Sequence, residues 1–251
     1  MRRYLKLLYH LSLPFIDIRK FVKAFPQYVG FLFDLFKYRA MNGAEKIRLK
    51  DILPVINEKT VEQNFDRHYF YQDIWAFKKI KLHKPRQHVD VGSRIDFVGF
   101  LTTIVPVIYV DIRKLHTQLE NYRFCIGSIL EMPFRDNSIE SLSCLHVAEH
   151  IGLGRYGDRL DPMGTKKACK ELQRVLKKGG NLYFSLPIGR PRVCFNAHRI
   201  HTVSQILDYF NELKLVEIAG IDDNGNFYPH VDQGFFRHAS YACGLFHFKK
   251  P

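Results

Sequence analysis

Between residues 87 and 146 the chain repeats one pattern, a short apolar run closed by a turn or polar break and followed by another. Gln87 to Gly92, Val105 to Asp111, Tyr122 to Gly127 and Ile139 to His146 each have the length and bounding residues of a buried strand. Stretches with helical spacing alternate with these runs. Tyr69 to Ile80 leads in, and Thr165 to Lys177 places Ala168, Leu172, Val175 and Leu176 on one face. Gly179-Gly180 then supplies the stop expected just past a helix end. Asn181 to Leu186 predicts the next strand, and Thr202-Val203-Ser204-Gln205 has the form of a capping box opening a helix through Phe210. Strands follow at Leu215 to Ile221 and at Tyr241 to Phe248.

Strands alternating with helices imply right-handed crossovers and a parallel sheet covered on both sides. The pattern therefore predicts an α/β fold, with a Rossmann-like, seven-stranded, mostly parallel sheet carrying helices on both faces over residues 59–251. Ligands on such sheets lie beyond the carboxyl ends of the strands, near the point where strand order reverses.

Residues 1–58 read differently. Phe15, Phe21, Phe25, Phe31, Phe33 and Phe36 are interspersed with Arg19, Lys20, Lys23, Lys37 and Arg39, and Pro14 and Pro26 are expected to break the segment into short helical pieces. This N-terminal helical extension suits either a cap packed on the main domain, the favoured reading, or an amphipathic element in peripheral membrane contact. Met1-Arg2-Arg3 followed by Tyr4-Leu5-Lys6-Leu7-Leu8 superficially resembles a signal peptide, but Lys6 and His10 interrupt the apolar run. No apolar stretch of about 18 residues, the span of a membrane helix, is present.

Charge and cysteine content narrow the classes. The formal charge of +13 over 251 residues implies an anionic partner or surface. Cys125, Cys144, Cys169, Cys194 and Cys243 are odd in number and scattered, with no C-x-x-C pair, so no disulfide framework or metal ligand set is expected and a cytoplasmic location fits best. The basic surface admits RNA, yet no RNA-binding motif stands out, and no specific nucleic-acid partner is expected.

The candidate chemistry falls at strand ends. The first strand closes on Asp90-Val91-Gly92-Ser93, where a glycine lets a ligand approach backbone that a Cβ would obstruct. The second strand ends about twenty residues later in Asp111, a carboxylate that can accept hydrogen bonds from both hydroxyls of a ribose. Together the two read as a nucleoside site.

These residues, with Met132 to Ser138, His146-Val147-Ala148-Glu149-His150 and Glu171 to Gly180, resemble class I S-adenosylmethionine-dependent methyltransferases. More narrowly, His68 to Trp75, Gly152 to Asp158 and Phe195 to Arg199 resemble an uncharacterised methyltransferase-like family first catalogued from nematodes as a domain of unknown function and common in bacteria. The resemblance implies S-adenosyl-L-methionine as cofactor. It puts Asp90, Gly92 and Ser93 at the methionine end, Asp111 on the ribose, Ser128 and Ile129 at the adenine, and His146 in the same set. Two features depart from the family pattern: Arg94, Ile95 and Asp96 stand where a second glycine is usual, and Ser128 replaces an acidic residue.

Methyl transfer chiefly requires alignment of the acceptor with the methyl group. A hydroxyl acceptor also calls for a base, for which His150 and His198 are the candidates, with Arg155, Tyr156, Asp158 and Arg199 as acceptor-binding residues. The preferred acceptor is a polysaccharide or glycolipid precursor, since bacterial relatives resemble parts of surface-glycan pathways. A catalytically inactive nucleotide- or membrane-binding module with the same fold is the alternative, and an RNA methyltransferase is disfavoured. His146 to His150 also matches the H-x-x-E-H pattern of zinc proteases, but it abuts a strand, and Gly152 and Gly154 cut short any helix.

Overall fold

A computed structural model describes residues 2–251, so Met1 of the expected extension lies outside the described residues. The chain divides into two compact units, one ending at Asn64 and the other running Phe65–Pro251. The first contains helices α1 (Arg2–Ser12) and α2 (Ile18–Arg39), and the Asp17 carboxylate caps the start of α2 by accepting from the amides of Arg19 and Lys20. Pro14 separates the two helices as expected. Pro26 does not break the segment but sits inside α2. A proline there removes one backbone donor and leaves one carbonyl that water can serve, which a 22-residue helix survives. Among the described residues no helix is long and apolar enough to cross a membrane.

The second unit opens with α3 (Arg67–His83), N-capped by Asp66, and then alternates β1 (His88–Val91), α4 (Ile95–Leu101), β2 (Val107–Asp111), β3 (Tyr122–Ile126) and β4 (Ile139–Leu145). There follow α5 (Gly164–Val175), β5 (Leu176–Ile188), a hairpin of β6 (Arg192–Cys194) with β7 (His198–Ile200), α6 (Val203–Tyr209), β8 (Lys214–Ile221), β9 (Phe227–Tyr228) and β10 (Ala242–Lys249). The main sheet has the order β3-β2-β1-β4-β5-β10-β8-β9. Its first five strands pair in parallel, and β10 runs antiparallel between β5 and β8. The seven expected strands are thus present, extended at one edge by the two residues of β9.

Alternation along each strand builds two cores. Cys144, Phe184 and Phe246 join α5 and α6 on one face, while their neighbours Leu145, Tyr183 and Leu245 join α3 and α4 on the other. The expected helix stop at Gly179-Gly180 is misplaced. The helix ends at Val175, and Leu176 already pairs with Ile139, so both glycines lie within β5 at a register shift. A Cβ at Gly180 would stand 2.8 Å from the Lys177 carbonyl and 3.0 Å from that of Ile139. The glycine answers a close backbone approach in a strand rather than a helix cap.

Candidate active site

Strand order reverses between β1 and β4, and the loops leaving these two strands flank the resulting crevice. On the β1 side Gly92 adopts φ +64, a left-handed conformation that favours glycine. Behind it Asp90 is fully buried, its carboxylate accepting from the Ser93 amide at 3.1 Å and from the Ser143 hydroxyl. A buried chain continues inward: Ser143 also receives His88 Nε2–H at 2.8 Å, and His88 Nδ1 accepts from the Ser141 hydroxyl at 2.8 Å. Desolvation raises the Asp90 pKa to about 6 and lowers that of His88 to about 3. Asp90 therefore fixes the turn from behind, while Gly92 and Ser93 line its open side.

Three adjoining cavities open along the crevice. A slot of about 100 Å³ runs past Gly92, Val110, Asp111, Ser128 and Ile129. The second, of about 380 Å³, is bordered by Ser93, Asp111, Arg113 and Tyr69. The third, of about 440 Å³, is polar and takes its lining from Glu149, His150, Arg155, His198 and Tyr241. The two larger volumes fall within the usual range for small-molecule sites. His146 borders all three and is itself held at φ +54, a conformation rare for a residue with a side chain and often found at functional sites.

Asp111 accepts from the Tyr109 hydroxyl at 3.1 Å and from the Arg113 amide at 2.7 Å, and the Arg113 guanidinium lies over it at 3.3 Å. That guanidinium is largely exposed and also covers the Tyr156 ring, so a hydroxyl-bearing ligand can displace it at little cost.

The histidine loop departs from a protease. His146 to His150 forms a single 3-10 turn at Ala148–His150, not the α-helix that would align both imidazoles on one metal. His150 Nδ1–H donates to the Ala197 carbonyl at 2.6 Å, which leaves Nε2 as its acceptor face, and burial pulls its pKa down to about 4. Between the two histidines lies Glu149, a residue to which the sequence reading assigned no role of its own. It is fully buried, neither carboxylate oxygen has a partner, and Oε1 stands 3.7 Å from His150 Nε2. Desolvation lifts its pKa to about 8.

The expected acceptor-binding residues divide. Arg155 and Tyr156 line the cavities, and Arg155 donates to the Ala197 carbonyl at 3.0 Å. Asp158 borders the slot but uses its carboxylate on the amides of Gly152 and Tyr156. Arg199 is buried, and its guanidinium donates to the carbonyls of Ile151 and Asp161, clamping the loop that carries Gly152. Removing that clamp orphans two carbonyls, so Arg199→Met is expected to lower unfolding free energy by about 2–4 kcal/mol in urea titrations.

Residues 91–218 match the sequence model of the family described as Caenorhabditis protein of unknown function, DUF268. The chain belongs to that family. This DUF268 chain is also 28% identical over 123 residues to an uncharacterised protein of Methanocaldococcus jannaschii, covering 47% of the chain and 49% of the relative. It thus spans about half the length of the curated relative it matches. Among solved structures, N-methyltransferase NodS from Bradyrhizobium japonicum superposes with a TM-score of 0.50 at 13% identity, covering 74% of this chain and 98% of that one. The [4+2]-cyclase SpnF superposes with a TM-score of 0.54 at 12% identity, covering 73% of this chain and 81% of that one. At such identities the likeness establishes the fold, which is that of class I methyltransferases.

Proposed function

We propose that this protein is an S-adenosylmethionine-dependent methyltransferase acting on a hydroxyl of a polysaccharide or glycolipid precursor. The observation that carries the reading is the convergence of Gly92, Asp111, Ser128, Ile129 and His146 at the ends of four adjacent parallel strands, beside a separate polar cavity. The residues fit the cofactor. Gly92 leaves a turn in which a Cβ would come within 3.2 Å of the Val147 side chain, Asp111 supplies a carboxylate for the ribose, and the side chains of Val110 and Ile129 give an apolar slot for a flat base. Bound there, the cofactor would supply an electrophilic methyl group. Ser93 shapes the methionine end, and Asp90 holds the turn from within.

The neighbouring cavity suits a sugar. Asp66, Asp223, Asn224 and Arg155 offer donors and acceptors for hydroxyls, and the rings of Tyr69 and Tyr241 offer apolar faces. Glu149 is the best-placed proton acceptor for the reacting hydroxyl, because its pKa lies near neutrality whereas burial keeps His150 neutral and weakly basic. His198, half-buried at the same cavity with its pKa lowered by desolvation, orients the acceptor or serves as an alternative base. The exposed Phe21, Phe25 and Phe33 of α2, close in sequence to Lys20, Lys23 and Lys37, support contact with a membrane carrying such precursors.

Since SpnF carries this fold as a cyclase, turnover has to be measured. Methyl-labelled cofactor incubated with sugar nucleotides, lipid-linked glycans and RNA is expected to label a glycan. Cofactor binding with no label in any acceptor favours the inactive module, and salt-sensitive labelling of RNA alone overturns the acceptor assignment.

A further inference from the structure

His68 and His146 border the polar cavity and Cys243 lies buried beside them, and neither His68 nor Cys243 has a role in the cofactor or acceptor contacts described above. One nitrogen of His68, one of His146 and the Cys243 sulfur all lie within 4.8 Å of one another. They come from the first turn of α3, the loop after β4 and the second residue of β10.

The protonation of His146 is fixed by what surrounds it. Gln72 is fully buried, and its amide nitrogen donates to Asp73 at 3.1 Å, which turns its oxygen toward His146. That oxygen already accepts from the Ser185 hydroxyl at 2.6 Å and lies 2.8 Å from His146 Nδ1. Nδ1 must therefore carry the proton, and Nε2 is left with a bare lone pair. Nε2 is buried and has no hydrogen-bond partner. A ring whose far nitrogen donates to a carbonyl oxygen while its near nitrogen is free is the arrangement found in metal-ligating histidines. Cys243 is fully buried, and its sulfur has only a 3.9 Å contact with the Gly244 carbonyl. Glu149, with two further unpartnered oxygens, lines the same cavity.

We propose that His68, His146 and Cys243 bind a single divalent ion of the zinc type. Two imidazoles and a thiolate select a borderline-soft ion over magnesium or calcium. Bond lengths of about 2.0–2.3 Å place tetrahedral ligands roughly 3.3–3.8 Å apart. The three atoms must close by about 1 Å, which His68, in the first turn of its helix and stacked on Tyr241, can provide by rotating its side chain. Three protein ligands leave a fourth position facing the cavity of about 440 Å³, the open geometry of a catalytic rather than a structural site. Its use in holding an acceptor hydroxyl rests on the methyltransferase reading; the site itself does not.

The test is a cobalt titration of the full-length protein after chelator treatment, in the absence of any cofactor. One Co²⁺ per chain is expected, with a sulfur-to-cobalt charge-transfer absorption in the near ultraviolet that Cys243→Ser abolishes. Gln72→Met, which frees Nδ1, should weaken binding about 10- to 100-fold, and circular dichroism checks that both variants fold. No stoichiometric cobalt, or cobalt bound by the unaltered protein without that absorption, overturns the proposal. Separate titration with S-adenosylhomocysteine keeps the two readings apart: cobalt binding through Cys243 in a protein that ignores the nucleoside would sink the methyltransferase and leave the metal site.

Discussion

Glu149→Gln is expected to lower methyl transfer about 100- to 10,000-fold, the span associated with loss of a general base, while leaving affinity for the cofactor within a fewfold of the unaltered protein. The carboxylate is buried without a hydrogen-bond partner, and burial holds its pKa near 8, so the active, ionised form accumulates as pH rises through that value. Turnover should therefore climb to about pH 8 and then level off, and the variant should lack the climb. Stability must move the other way. Between the ordinary value of 4.5 and about 8 the folded protein keeps a proton that the unfolded chain has released, so the folded state loses ground as pH rises across that window. Glutamine has no proton to lose. The variant should match the unaltered protein near pH 4.5 and exceed it in unfolding free energy by up to about 5 kcal/mol above pH 8. Equal activity would remove Glu149 as base and return the role to His198.

Asp111→Ala is expected to weaken cofactor binding about 100- to 1,000-fold, since two hydrogen bonds from ribose hydroxyls to a carboxylate are lost together. Asp111→Asn should fall between, because an amide oxygen still accepts one of them. The folded state should suffer little in either variant, for the residue's partners are the exposed Arg113, which can turn to water, and the buried Tyr109 hydroxyl, which keeps the Ser93 carbonyl as acceptor at 3.3 Å. A loss confined to turnover would place Asp111 outside the ribose site.

The parallel half of the sheet was legible because short, largely apolar segments bounded by turns recur there; β2 is apolar up to its closing Asp111, and β1, β3 and β4 keep the length and bounds of strands although polar residues interrupt them. The hairpin of β6 and β7 was not. Its strands are three residues each, and Arg192-Val193-Cys194 and His198-Arg199-Ile200 show no clear period. The Gly179-Gly180 pair misled for a different reason: a glycine that relieves a backbone clash within a strand looks, in sequence, the same as one that ends a helix.

At the site, Gly92 and Asp111 could be read because each ends an apolar run, where ligands on parallel sheets bind. Asp90 shares that signal, yet its side chain points the other way, into the sheet toward Ser143 and His88. Arg199 looked like an acceptor contact and instead clamps a loop. His68 and Gln72 appeared only within a motif of family resemblance and Cys243 only as one of five scattered cysteines, since their roles lie in contacts between α3, the loop after β4 and β10, and Gln72 is 74 residues from its partner His146. Glu149 stood within a segment of methyltransferase resemblance that also matches a protease motif, and was given no role of its own; burial, which composition does not report, is what sets it apart.

Calorimetric titration of the purified protein with S-adenosylhomocysteine tests the cofactor assignment most directly. One molecule should bind per chain, with affinity falling about 100-fold or more in Asp111→Ala. Absence of binding, or binding that this substitution leaves unchanged, would contradict the placement of a nucleoside across Gly92 and Asp111.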